Sequence, residues 1–295
     1  MRQERTDTGR KSDAISVIVP VYRQWDLVAD FLAAWSRQTL PRAAELILVN
    51  NDPAAPPESL ALPSGARIVD CAAPGSYAAR NVGAEVATGD WLVFTDADCR
   101  PLPGWLDGLA RAMDEAPQSL LAGDVAMVID GAATPWARFD LVRGIPQARY
   151  VTRGYGATAN LAVPADLFRR LSGFDARRLS GGDAEFCRRA GATGTGIHFV
   201  PDAIVAHPAR ADWASLKTKA RRVKGAQLTQ GGWRQRGYWL ARTLLPPVHE
   251  VYFYLRSPHP LGDRLIACLV RARLWGVELA ETARLMLAGA SPERR

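Results

Sequence analysis

The sequence predicts an α/β protein with a mostly parallel central sheet, flanking helices and a helical extension at the C-terminus. Three observations carry this. Over the first two-thirds, short apolar and β-branched runs alternate with segments of helical period, the pattern of βαβ units. One run, Asp90-Trp91-Leu92-Val93-Phe94-Thr95, follows Gly89 and leads into Asp96-Ala97-Asp98, two carboxylates where open α/β sheets hold their ligands. The last third changes character: it is basic, rich in leucine and aromatics, and helical in period.

In chain order, Ile15 to Pro20 is a β-branched run and the first strand. Asp26 to Arg37 carries Leu27, Val28, Phe31, Leu32 and Trp35 at helical spacing, with Asp26 as its cap. Glu45 to Asn50 is a strand broken by Asn51-Asp52-Pro53, a Pro-rich loop runs to Pro63, and Ala66 to Asp70 is a short third strand. Tyr77 to Ala87 is helical, and Pro103 to Ala116 is a helix with Pro at its start. Leu120 to Ile129 is a strand, Pro135 to Arg149 a helix, and Arg153 to Asn160 a small-residue loop into a strand over Leu161 to Val163. Asp183 to Ala190 is a short helix, and Ile197 to Val200 and Ala203 to His207 are short strands. Trp213 to Gln227 is a basic helix, Tyr238 to Leu255 is interrupted by Pro246-Pro247, and Leu261 to Leu287 is one long amphipathic helix. The expected division is a tail over 1–13, a catalytic domain over 14–210 and a helical extension over 211–295.

A chain of 295 residues, 48% hydrophobic and of mixed charge, buries a sizeable core. No charge-free apolar run is long enough to span a membrane, and the polar first 13 residues lack the centre of a secretory signal. A cytoplasmic protein, at most peripheral on the cytosolic face of a membrane, is expected. Cys71, Cys99, Cys187 and Cys268 form no CxxC pair and read as free thiols. The net charge of +7 is uneven: residues 211–295 hold 15 Lys and Arg against 6 Asp and Glu, whereas the preceding residues hold 22 against 24. That excess points to an anionic partner near the C-terminus, with no nucleic acid implied. The run Gly191-Ala192-Thr193-Gly194-Thr195-Gly196 follows a helix and precedes a strand, the reverse of a dinucleotide-binding turn, and no P-loop is present.

Taken alone, Asp96 and Asp98 read first as caps of the next turn, and only second as oxygen ligands for a hard divalent cation. Their neighbourhood adds weight. Ile15-Ser16-Val17-Ile18-Val19-Pro20-Val21-Tyr22, Ala79-Arg80-Asn81-Val82-Gly83, Asp96-Ala97-Asp98 and Gly173-Phe174-Asp175 followed by Gly182-Asp183 come in one order. Over roughly residues 14 to 225 this set resembles the inverting family 2 glycosyltransferases with the GT-A, nucleotide-diphospho-sugar transferase, fold. The resemblance implies a nucleotide sugar as donor, Mn2+ or Mg2+ as cofactor, and a glycan or lipid-linked acceptor. It implies that Pro20, Val21, Tyr22, Asn50, Arg80, Asn81 and Asp96 hold the nucleotide, and that Asp98 and His207 hold the metal. Asp183 becomes the catalytic base, a role that competes with simple helix capping. Gly156 would lie along donor sugar and acceptor, and Glu185 is an acceptor or structural contact. Two departures stand out: Asn50-Asn51-Asp52 replaces the paired aspartates that read uracil in many relatives, and Gly182 stands where an acidic residue is usual. The resemblance makes UDP the expected nucleotide, but an amide both donates and accepts where a carboxylate only accepts, so guanine or thymine is less easily excluded.

A sugar-nucleotide pyrophosphorylase is the competing enzyme class, but Val21-Tyr22-Arg23-Gln24-Trp25 lacks the glycine- and arginine-rich phosphate loop it needs. A degenerate transferase acting as a membrane-surface binding module is the non-enzyme alternative. The extension has two readings: an anionic membrane contact with Trp239, Tyr252, Phe253 and leucines inward, or a second helical layer packed on the catalytic domain.

Overall fold

In the computed structural model, residues 14–39, 42–287 and 290–293 are described; the tail expected over 1–13 lies outside them. Eight strands are β1 (Ile15–Val21), β2 (Ala44–Asn50), β3 (Ala66–Asp70), β4 (Trp91–Thr95), β5 (Arg100–Pro101), β6 (Leu120–Val128), β7 (Asn160–Pro164) and β8 (Ile197–Pro208). They form one sheet in the order β3-β2-β1-β4-β7-β6-β8-β5. The half from β3 to β4 is parallel, β7 runs antiparallel to both β4 and β6, and β8 returns parallel to β6.

Side chains alternate across this sheet into two cores, as period-two strands require. Val17, Val19, Leu46, Leu48 and Val93 enter one, where α1 (Trp25–Trp35) and α3 (Trp105–Glu115) pack. Ile18, Ile47, Val49, Leu92 and Phe94 enter the other, covered by α2 (Ser76–Val86), α6 (Ala165–Arg170) and α7 (Gly182–Ala192). Gly83 is required here: a Cβ on it would stand 2.5 Å from Ile18 Cγ2 and 2.9 Å from Val49 Cγ2.

Several elements differ from expectation for identifiable reasons. α1 starts at Trp25 without a side-chain cap, so Asp26 sits inside its first turn. The helix expected over Pro135 to Arg149 is two, α4 (Pro135–Arg143) and α5 (Gln147–Val151), parted by Gly144 at φ 60° and by Pro146, which has no N–H to continue the ladder. The two strands expected over Ile197 to His207 are one, β8, with a bulge: Val200 pairs with Gly123 and Ile204 with Asp124. β5 and α6 were not expected; two and six residues are too short to display a period.

The last third forms α8 (Trp213–Thr229), α9 (Trp233–Leu244), α10 (Val248–Leu255) and α11 (Leu261–Leu287). Their inner faces build a third core on α4, in which Phe139 and Val142 meet Leu216, Tyr254, Ala267, Val270 and Leu274. Buried Asp140 of α4 accepts from Arg210 N at 3.1 Å and Nη1 at 2.9 Å, fixing the link that leads into α8. Burial pushes its carboxyl up, but Lys219, Arg210 and Arg143 prevail and hold it down to about 2. Among the described residues, no helix is long and apolar enough to cross a membrane.

Candidate active site

A cleft of about 650 Å³ opens at the carboxyl ends of β1 and β4. Its walls include the ends of β1 and β8, the residue after β2, the start of α2, the turn after β4, the loop before β7, the loop leading into α7 with the start of that helix, and the inner face of α8. The loop before β7 is rigid for a visible reason. Gln147 Nε2 donates to Ala157 O at 3.1 Å and Asn160 O at 3.0 Å, and Ala157 N donates back to Gln147 Oε1 at 2.8 Å. Asn160, fully buried, accepts from Trp105 Nε1 at 2.9 Å and donates to Asp124 O at 2.9 Å and Ala203 O at 2.8 Å. One amide thus ties α3, β6 and the β8 bulge to the cleft floor.

The carboxylate pair and the histidine meet. His207 is buried, and its Nε2 lies 3.7 Å from Asp98 Oδ1. Its Nδ1 is 2.9 Å from Pro208 O, a carbonyl that can only accept, so Nδ1 is the donor there and Nε2 is the nitrogen left facing Asp98. Ligand atoms of Asp96, Asp98, Cys99 and His207 all lie within 4.8 Å of one another. Two carboxylates and an imidazole lone pair fit a divalent cation. Cys99 does not join them: it is fully buried, lies 3.8 Å from Ala159 O, and burial and the two aspartates drive its thiol well above the ordinary range. Burial also raises the Asp98 carboxyl, with His207 opposing it.

Arg80 is buried, lies over the Tyr77 ring at 5.6 Å, and pairs with Asp96 at the cleft wall. Among the described residues, its Nε has no hydrogen-bond partner. Asp183 is the second residue of α7, with Oδ1 accepting from Ala184 N at 2.8 Å and facing Tyr77 Oη at 3.5 Å. Burial pushes the Asp183 carboxyl up against the pull of the helix start and Arg80. The glycine at 182 finds its reason in Tyr77: the ring stands 2.7 to 2.9 Å from where a Cβ would be, and Tyr77 Oη accepts from Gly182 N at 2.9 Å. Burial and Asp183 keep that phenol protonated.

Pro20, Val21, Tyr22, Arg80, Asp96, Asp98, Asp183 and His207 all line this one cleft. Four other expected contacts lie elsewhere. Asn50 is buried behind the cleft, donating to Asp70 Oδ1 at 2.9 Å and accepting from Asp52 N at 3.2 Å; its neighbour Asn51 lines the cleft instead. Asn81 clamps the Gly173-Phe174-Asp175 turn, donating to Phe174 O at 2.8 Å and accepting from Phe174 N at 2.9 Å. Gly156 serves packing, since a Cβ there would stand 2.9 Å from Ala122 Cβ, and Ala157 to Ala159 face the cleft in its place. Glu185 pairs with Arg189 at 2.7 Å and takes no part in the cleft.

What sequence reasoning missed is the cationic wall: Arg178, Arg210, Lys219 and Arg222. Lys219 and Arg222 are three apart on α8 and so share a face, a signal visible in the sequence once α8 is known to border the cleft. Burial, then Arg143 and Arg210, pull the Lys219 ammonium well below its ordinary value.

The family model for glycosyl transferase family 2 matches residues 16–169. Glycosyltransferase AglE of Haloferax volcanii is 30% identical over 219 residues, 72% of each chain. The chain belongs to glycosyl transferase family 2. Succinoglycan biosynthesis protein ExoM of Rhizobium meliloti is 27% identical over 229 residues, 74% of each chain. Among solved structures, S. aureus TarS 1-349 in complex with UDP-GlcNAc superposes with a TM-score of 0.51 at 15% identity, covering 94% of this chain and 92% of that one. Mannosyltransferase PcManGT from Pyrobaculum calidifontis, in complex with GDP-Man and Mn2+, gives 0.51 at 20% identity, covering 95% and 81%. These likenesses establish the GT-A fold of this family 2 glycosyltransferase.

Proposed function

We propose that this glycosyltransferase uses a nucleotide-diphosphate sugar, UDP-sugar first, and transfers with inversion to a hydroxyl of a glycan or lipid-linked acceptor. One observation carries the reading: a single cleft is lined by Asp96, Asp98, His207 and Asp183 together. The acceptor oxygen gives its proton to Asp183 and bonds to the anomeric carbon as the bond from that carbon to the diphosphate breaks. The electron pair of the broken bond leaves with the nucleotide. Mn2+ or Mg2+, held by Asp98 and His207 when bound, would offset charge developing on the departing diphosphate. Arg178 and Arg222 bring positive charge to the same region, and Arg80 orients Asp96. Pro20, Val21 and Tyr22 offer the base a surface; Asn51, already donating to Cys71 O at 3.1 Å and Ala73 O at 2.7 Å, shapes that end of the cleft. The same reading has the enzyme cytoplasmic.

Thermal-shift measurement with UDP- and GDP-sugars, each with and without Mn2+, tests the donor. A ligand that binds the native state raises the melting temperature in proportion to its affinity and concentration. The expected result is a metal-dependent rise with one nucleotide class. No rise with any nucleotide sugar, with or without Mn2+, would sink the proposal.

A further inference from the structure

We infer that the outer faces of α10 and α11, with the basic start of α9, dock on a lipid bilayer bearing anionic headgroups. This goes beyond the chemistry proposed above and does not depend on it. Twelve of the fifteen exposed large hydrophobic residues among the described ones lie between Trp233 and Leu287; the others are Leu62, Val86 and Leu102. They are organised as rows. Leu261, Leu265 and Leu269 of α11 are 63%, 50% and 72% exposed and follow one another at i, i+4 and i+8. At about 100° per residue this row lies opposite Ala267, Val270 and Leu274, the inner face that meets α4 and α8. Val248, Tyr252 and Leu255 form the matching row on α10, whose Tyr254 is turned inward onto Phe139. Each helix is thus apolar on both sides. The inner side is satisfied by the third core, and among the described residues nothing covers the outer one. Exposed apolar surface gathered in this way marks an interaction site rather than scattered surface leucines.

Charge decides between partners. All four acidic residues from 230 to 287 are buried or half-buried and paired with arginine: Glu250 with Arg242, Asp263 with Arg138, Glu278 with Arg271 and Glu281 with Arg284. The exposed charges of that stretch are therefore cationic: Arg234, Arg236, Arg256 and Arg273. Arg234 and Arg256 lie over the rings of Trp233 and Tyr252, at 5.3 and 4.7 Å. Leucine rows edged by arginine and aromatic rings, with no exposed carboxylate, suit the boundary between headgroups and acyl chains. A second copy of this surface would bring arginine against arginine. Of the side chains expected to face a membrane, Tyr252 does so; Trp239 lines a cavity inside the helical layer, and Phe253 packs on the third core.

Vesicle flotation of the full chain tests this, with phosphatidylcholine alone and with added phosphatidylglycerol. The protein is expected to float with the anionic vesicles only, and less as salt rises. Replacing Arg234 and Arg236 by Gln should weaken binding about fivefold per arginine. Leu265→Gln with Leu269→Gln should abolish flotation while melting temperature stays unchanged, which separates docking from unfolding. Equal binding to neutral vesicles, no binding at all, or an unaffected leucine variant would each overturn the inference. So would a dimer in sedimentation that the leucine pair dissociates while wild type ignores vesicles. No arm reads transfer activity, so a negative result here leaves the catalytic reading standing, and the reverse holds too.

Discussion

Asp183→Asn is expected to lower kcat by about 10²–10⁴-fold, the span that a positioned general base supplies, with no loss of fold. The amide can still accept from Ala184 N through its oxygen, as the carboxylate does at 2.8 Å. What it cannot do is take the acceptor's proton. The pH behaviour follows from the upward push of burial on this carboxyl. Activity needs the ionised form, so the acid limb of the wild-type profile should lie above the ordinary carboxylate range and fall as pH drops through the raised value. Stability has the opposite sign. The native state holds this proton more tightly than the unfolded chain, so its contribution is fully present below the unfolded pKa and is lost as pH rises through the native one. Asparagine carries no charge to desolvate, and the variant should melt no lower than wild type at neutral pH. Near-normal turnover in Asp183→Asn would remove Asp183 from the base role.

Asp98→Ala should cost at least about 10²–10³-fold in transfer, the scale for losing a main electrostatic contact in a transition state. Its diagnostic effect is on binding: calorimetry should show donor affinity no longer raised by Mn2+, whereas Asp183→Asn keeps that response. His207→Ala should follow Asp98→Ala, because the histidine's free nitrogen points at Asp98 and its other nitrogen is held by Pro208 O. An Asp98→Ala protein that binds donor with an undiminished response to Mn2+ would refute the metal assignment.

The sequence made the parallel half of the sheet legible because its strands are short apolar runs stopped by Asn, Gly or Pro, and their alternation was already a βαβ pattern. The carboxylates, Arg80 and His207 were legible for the same reason: strand ends and the helix after them occur at the same end of the sheet. Asn50 and Asn51 show where this stops. They are adjacent, and only the register of Asn50 against Asp70 decides that the first is spent inside the sheet while the second borders the cleft. Asn81 and Glu185 sit within motifs, yet each serves a partner outside the cleft, Phe174 in one case and Arg189 in the other. The cationic wall depends on where α8 packs, a tertiary fact set by the third core and by Asp140 rather than by any local pattern.

The β8 bulge has a bearing on how this protein can diverge. Between neighbouring positions Gly123 and Asp124, the partner strand advances from Val200 to Ile204. Regular alternation would put Val200 and Val205, five residues apart, on opposite faces, yet both enter the same core, so the three surplus residues interrupt the alternation. Beyond them the strand is placed by its own pairing with β6, which sets His207 opposite Met127. The excursion therefore uncouples the histidine's side of the sheet from the count of residues before it, so a change of length there should leave the imidazole facing the cleft.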